Sequence, residues 1–248
     1  LQAVAWLHGV KCAVPENARV LELGCMAGEN LLPFALAYPQ SSSIGIDLDV
    51  EKVEEGQQLL IELGVENLQL AAMDLNTLLE SELGQFDYII VHGIFGLVSG
   101  EARTALLQFC QKHLSPVGTV SFKYATYPGG KMAEVLKDAL SLHSSLAETV
   151  EQQQESARAM LTYLSLGMSP NNAQEKALRK WIEQAEQQND VQLALNYLQG
   201  LNEPCYLLDF NTLATGAGLT YVGDIQPHTE LAEHYGENVS SMHQVICA

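Results

Sequence analysis

Val20-Leu21-Glu22-Leu23-Gly24-Cys25-Met26-Ala27-Gly28-Glu29-Asn30 runs from an apolar stretch into two spaced glycines. Arg19–Leu23 reads as a strand, and a helix is expected from about Gly28 to Tyr38. A strand that passes through a glycine turn into a helix is where doubly wound α/β sheets bind ligands. Gly24 and Gly28 let the backbone turn sharply and approach a ligand closely. The spacing is E-x-G-x-x-x-G, unlike the G-x-G-x-x-G of a dinucleotide turn, which seats a pyrophosphate on a helix N-terminus. Glu22, just ahead of the turn, would repel a diphosphate. It suits an ammonium group, such as the amino group of a methionine moiety.

Outward from this stretch, strand and helix patterns alternate. Strands are expected at Ser43–Asp47, Leu68–Ala72, Phe86–Val91 and Thr119–Tyr124, with helices at Val50–Leu63 and Gly100–His113 between them. The nearly continuous apolar run of Phe86–Val91 suits a central strand buried on both faces. The order predicts a Rossmann-like, doubly wound, mostly parallel sheet with helices on both sides. After Pro128-Gly129-Gly130 the period changes: residues 131–200 are rich in Gln, Glu, Ala and Leu and read as three or four helices. Tyr206–Thr215 reads as a helix, Thr220–Ile225 as a strand and residues 243–247 as a final strand. The expected organisation is a core over 1–130, a helical insertion or cap over 131–204, and a return to the sheet over 205–248. The cap is expected to hinge at Pro128-Gly129-Gly130 and close over the reacting group.

Composition narrows the function classes. Thirty acids against twelve bases give the 248 residues a net charge of −18, spread evenly along the chain. Such a field repels phosphate backbones and no run of Lys or Arg offsets it, so nucleic acid is not the expected partner. No apolar stretch approaches the roughly 20 residues of a membrane span. The five cysteines are odd in number, far apart and without a CxxC, which predicts reduced thiols, a cytoplasmic setting and no zinc site. The histidines show no metal spacing with acids or thiols, so no metal is expected. The start at Leu1 without Met and the stop at Ala248 suggest a fragment of a longer protein.

Further acids follow successive strands. Asp47 can accept both hydroxyls of a ribose, with Leu48 beside it. Asp74, between Met73 and Leu75, can accept from the exocyclic amine of adenine while Met73 packs on the ring. Either acid alone reads more simply as a helix cap; the order of all three after successive strands favours a nucleoside-bearing ligand.

Taken together, ELGCMAGEN, GIDLD, AAMDLN and FDYIIVHG resemble, in order, the first four motifs of class I S-adenosylmethionine-dependent methyltransferases. The resemblance covers residues 15–125. His92-Gly93-Ile94-Phe95-Gly96-Leu97-Val98 and Tyr124-Ala125-Thr126-Tyr127-Pro128-Gly129-Gly130 narrow it to the bacterial methyltransferases with a "methyltransferase regulatory domain", which include rickettsial outer-membrane-protein lysine methyltransferases. That family typically carries H-G-V-Y-S-W-V and N-T-x-P-G-W at these places. Here Phe95-Gly96-Leu97 replaces the aromatic centre and Gly130 the tryptophan. Leu201-Asn202-Glu203-Pro204-Cys205-Tyr206 is similar to the family's N-E-P segment, and its members are often twice this length.

The resemblance implies S-adenosylmethionine as donor and S-adenosylhomocysteine as product, held by Glu22, Gly24, Cys25, Gly28, Asn30, Asp47, Leu48, Met73, Asp74, Leu75 and His92. His92, at the end of the fourth strand, could orient or deprotonate an acceptor, or be structural. Tyr124 and Tyr127 are candidates for the acceptor wall, where a ring attracts an amine cation. The expected acceptor is an amine, on protein lysine or a small molecule. A catalytically silent donor-binding module is the alternative class, and a nicotinamide-dependent dehydrogenase fits least. Oligomeric state is not legible.

Overall fold

The computed structural model describes residues 1–169, 171–198 and 203–246, which pack as two units. The first comprises residues 1–92, 103–123 and 211–246; the second comprises residues 93–102 and the described residues from 124 to 210.

In the first unit, β1 (Arg19–Leu23), β2 (Ser42–Asp47), β3 (Leu68–Ala72), β4 (Phe86–His92) and β5 (Leu114–Lys123) form one sheet in the order β3-β2-β1-β4-β5. Every pairing is parallel. The doubly wound expectation therefore holds, with a fully parallel sheet. Helices α1 (Gln2–Leu7), α2 (Leu31–Ala37), α3 (Val50–Leu63), α4 (Leu75–Glu80) and α5 (Gly100–His113) accompany the strands, α5 belonging to this unit from Arg103 onward. Alternation along β1 sends Val20 into a cluster with Leu31 and Ala35 of α2, Val53 and Leu60 of α3, and Leu68, Leu70 and Tyr88. Leu21, Leu23, Ile89 and Val91 have the opposite parity and are also fully buried. A strand buried on both faces is apolar at nearly every position, Glu22 being the buried exception in β1, and each apolar side chain so buried contributes about 1.5–3 kcal/mol of transfer free energy.

Beyond β5 the expected strands do not form. Helix α10 (Leu207–Gly216) matches the expected helix, but the sheet does not resume among the described residues after it. In Thr220–Ile225 the Asp224 carboxylate accepts the Gln226 N–H at 2.7 Å and bends the chain. The His8 ring lies where a side chain at position 223 would stand, so Gly223 packs against it and any larger residue would have to displace it. Of the expected strand 243–247, residues 243–246 close α11 (Glu237–Ile246); residue 247 lies outside the described residues. Val239, Met242 and Ile246 recur at i, i+3, i+7, a helical period that a five-residue window hides.

The second unit is helical: α6 (Lys131–Ser144), α7 (Val150–Gly167), α8 (Ala173–Glu186) and the short α9 (Asp190–Leu193). Its core is Leu136, Leu140, Ala157, Leu161, Ile182, Ala185, Leu193 and Tyr197, with Trp181 and Leu178 packed against it. Thr149 and Gln152 form a reciprocal capping box at the start of α7. Arg158 reaches from α7 to the Asp190 carboxylate at 2.8 Å and to the Glu186 carbonyl at 3.2 Å. A short bridge pairs Thr126 with Cys205, and Tyr127–Pro128 is cis.

Gly56 on α3 sets how closely that helix approaches the β1 turn, because a Cβ there would collide with the Ala27 carbonyl oxygen. Gly56→Ala is expected to cost about 1–3 kcal/mol, as overpacking against backbone typically does. Urea unfolding checks this; an unchanged midpoint would mean that α3 does not lie against the turn.

Candidate functional site

The strand order places a ligand crevice by topology alone. The chain builds β1, β2 and β3 outward in one direction, then crosses to β4 and β5 on the other side, so the order reverses between β1 and β4. Leu23 lies opposite Ile46 on one side and Val91 on the other, so Gly24 emerges between Asp47 and His92. Asp47 lies opposite Ala72, and Met73 donates its N–H to the Asp47 carbonyl at 2.8 Å. Met73, Asp47, Gly24 and His92 thus form one row along the carboxyl ends of the strands.

The turn after β1 is held by its own backbone and by one carboxylate. Gly24 and Gly28 have φ of 81° and 83°, in the left-handed region that glycine adopts without strain. Met26 has φ 49°, the one non-glycine among the described residues with positive φ. Its N–H donates to Asp47 Oδ2 at 2.7 Å, while Asp47 Oδ1 accepts from Asp49 N–H at 2.9 Å. Asp49 in turn caps α3 by accepting from Lys52 N–H at 3.1 Å. Sequence reading gave Asp47 a ligand role or, taken alone, a helix cap; the signal for its hold on the turn was Met26, a bulky residue midway between two turn glycines.

Glu22 lies directly beneath this turn and is fully buried. Its Oε1 accepts from Asn30 Nδ2 at 2.7 Å, so Asn30 serves here as the support of Glu22. Its Oε2 is buried without a hydrogen-bond partner. Burial pushes the Glu22 carboxyl above the usual carboxylate range, against the opposing pull of the Asn30 hydrogen bond. A buried carboxylate oxygen with no donor is costly, and a ligand ammonium would satisfy it.

The remaining expected residues divide by environment. The Cys25 side chain is in the core beside Val20 and Leu70, and burial pushes its thiol up to about 12. Leu48 is 73% exposed, an apolar side chain at the mouth of the row. Asp74 is exposed and caps α4, accepting from Thr77 N–H at 2.9 Å and Thr77 Oγ1 at 3.0 Å. Those bonds hold its carboxyl below the usual range. Leu75 opens α4 behind it. His92 is half-buried, with Nε2 3.3 Å from Ser121 Oγ, and burial followed by the Lys123 charge lowers its pKa, leaving a neutral imidazole near pH 7. Ser121 was not anticipated; its place on β5, opposite Ile90, needs the register. Among the described residues no group of three or more His, Cys, Asp or Glu could hold a metal, and no helix is long and apolar enough to cross a membrane.

Tyr124 and Tyr127 belong to the second unit, whereas His92 belongs to the first. The Tyr124 ring stacks on Phe210 at 4.7 Å and tilts against Phe95 at 5.2 Å, which is aromatic packing. Tyr127 donates its hydroxyl to Glu134 Oε1, and the Lys131 ammonium stands 4.2 Å from its ring centroid. Lys131 and Glu134 were missed; their i, i+3 spacing after Pro128-Gly129-Gly130 was the available signal.

Comparison with known proteins bears on the family and the fold. Residues 20–118 match the family model "Methyltransferase domain", and residues 189–248 match "Predicted methyltransferase regulatory domain". The uncharacterized protein RP789 of Rickettsia prowazekii is 28% identical over 225 residues, covering 90% of this chain and 40% of that protein. RP028 of the same organism is 32% identical over 165 residues, 66% of each chain. PKMT2 from Rickettsia typhi, solved in complex with AdoHcy, superposes with a TM-score of 0.82 at 28% identity over 100% of this chain and 48% of that one. The chain thus spans less than half the length of RP789 and PKMT2.

Two outcomes follow from the site's geometry. Charged hydrogen bonds contribute roughly 1.5–3 kcal/mol, so Asp47→Ala should speed amide exchange at Met26 and Asp49 by about ten- to a hundredfold. Unchanged exchange would mean that the carboxylate does not hold the turn. For His92 the native pKa lies below the ordinary 6.5, so the unfolded chain binds more protons as pH falls through and below that value. Its stability contribution is therefore present above pH 6.5 and lost below it. The difference in unfolding free energy between the parent and His92→Gln should shrink from pH 7.5 to 5.5; a constant difference would contradict the lowered pKa.

Proposed function

We propose that this chain, which belongs to the class I S-adenosylmethionine-dependent methyltransferases, transfers a methyl group from that donor to an amine. One observation carries the donor assignment: the buried Glu22 Oε2, without a partner, beneath the Gly24–Gly28 turn. Bound there, the donor supplies an electrophilic methyl group on a sulfonium. The AdoHcy complex of PKMT2, which superposes over the whole chain, supports the same reading.

The chain's own residues then divide the work. Glu22 accepts from the donor's ammonium, with Asn30 keeping the carboxylate in place. The left-handed turn at Gly24, Met26 and Gly28 keeps Cβ atoms clear of the donor at its two glycines. Asp47 takes the ribose hydroxyls on lone pairs left over from its bonds to Met26 and Asp49, since a carboxylate offers about four acceptor sites. Leu48 and Met73 flank the adenine, and Asp74, already occupied by Thr77, supplies at most a secondary contact to its amine.

Transfer to an amine requires a free nitrogen lone pair, so a proton must leave an alkylammonium before attack. His92, kept neutral by burial and Lys123, accepts it at a ring nitrogen. The net charge of −18, which reads first as a device for solubility, also suits a cationic acceptor such as a lysine side chain. Protein lysine is the acceptor this reading favours.

The test is direct. S-adenosylmethionine and S-adenosylhomocysteine should both raise the melting temperature and NAD should not; at 100 times Kd the gain is about 2.7 kcal/mol. Glu22→Gln should weaken both nucleosides by tenfold or more, a loss of about 1.4 kcal/mol or greater measured by calorimetry. No melting shift at millimolar ligand would overturn the donor assignment.

A further inference from the structure

The second unit holds an ammonium group in a setting that requires no covalent attachment. The Lys131 Nζ stands 4.2 Å from the Tyr127 ring centroid and 2.8 Å from Glu134 Oε2. Tyr127 donates its hydroxyl to the other Glu134 oxygen, which fixes ring and carboxylate relative to each other. The Tyr206 ring lies 5.1 Å from that of Tyr127, tilted at 49°. Its position is set by backbone pairing, since Tyr127 N–H donates to the Cys205 carbonyl at 3.1 Å and Cys205 N–H to the Ala125 carbonyl at 3.2 Å. Ring face, ring face and carboxylate are the three elements that recognise an alkylammonium. Lys131 fills them shallowly, with 60% of its side chain exposed against 29% for Glu134.

Glu134 also lines a cavity of about 170 Å³ in the same unit, with Lys137, Trp181, Asn196 and Tyr197. Glu134 thus borders this recess while its carboxylate holds Tyr127 and the Lys131 ammonium. Lys137, one helical turn beyond Glu134 on α6, also lines that cavity.

We propose that Tyr127, Tyr206 and Glu134 form a receptor for a primary alkylammonium group, and that Lys131 is its tethered resident, displaced by an incoming amine. The proposal rests on the amine-acceptor reading and gives the second unit a docking site of its own for an alkylammonium of the acceptor, together with what competes for it. A tethered lysine competes at an effective concentration in the millimolar range, so weakly held amines are excluded and only an acceptor with additional contacts gains entry. The receptor is thereby a specificity filter as well as a binding site. Lys131 and Glu134 remain charged across the neutral range, because each favours the other's ionised form.

The full chain can be tested with Nα-acetyl-lysine N-methylamide as the probe and its Nε-acetylated form as the uncharged control. Lys131→Ala should bind the charged probe about tenfold more tightly than the parent, the gain expected on removing a tethered competitor. The Tyr127 and Tyr206 ring resonances should shift on titration, and the control should leave them unmoved. Adding Glu134→Gln or Tyr206→Ala to Lys131→Ala should reverse the gain; both sites are partly exposed, so these variants report binding without emptying a core. Equal affinity in the parent and Lys131→Ala, or probe shifts confined to other residues, would overturn the proposal. S-adenosylhomocysteine binding is measured on the same samples. If it is absent while the probe still binds as described, the donor reading fails and the receptor stands; if it is intact while the probe result fails, the reverse holds.

Discussion

The carboxylate of Asp47 joins the two loops on which the candidate site depends. Its two oxygens hold the Met26 and Asp49 amides, one from the turn after β1 and one from the entry to α3. Without this tie, a non-glycine residue in the left-handed region would have little to offset its backbone strain, a cost on the order of 1 kcal/mol or more. The tie also bears on packing, since the same turn meets α3 where only glycine fits, at Gly56. Position 45 is equally restricted, because a Cβ there would press on Cys25 and Leu70. Loop geometry, helix approach and sheet interior are therefore one mechanical unit.

Electrostatics in this unit runs against solvation. Glu29 and Asp47 are close enough to raise the cost of ionising Glu22, which has only Asn30 to offset its burial. A protein that bore such a group for stability alone would gain from replacing it with an apolar residue of similar size. Its retention beneath an open turn makes sense as a site whose complement is a cation. Asp74 shows the opposite economy: it is exposed, bonded by Thr77 at both oxygens and sufficient as a helix cap.

The sheet was legible because central parallel strands are buried on both faces. Phe86–Val91 therefore reads as an apolar run, and the helices between strands show their own period. The end of the chain was harder for the same reason. Short β-branched stretches such as Thr220–Ile225 carry strand propensity, yet Asp224 bonds locally and Gly223 packs under His8, contacts that no propensity contains. At the site, the row of strand-end residues followed from motif order. The split between those free to meet a ligand and those bound inside the protein did not, because Asn30, Thr77 and Met26 reach their partners only through tertiary placement. Tyr124 became packing once Phe95 and Phe210 closed around it, across more than a hundred residues of sequence.

Cys25 carries a different consequence. Its sulfur sits inside the very turn assigned to an alkylating cosubstrate, and an ionised thiol there would be the strongest nucleophile at hand. Burial beside Val20 and Leu70, reinforced by the charges of Asp47 and Glu22, keeps it protonated with a pKa of about 12. Thiolate character, not proximity, governs sulfur alkylation and oxidation. Under the proposed donor reading, the packing that gives the turn its shape also protects the protein from self-alkylation, and it makes Cys25 a silent position for iodoacetamide or maleimide labelling so long as the fold is intact.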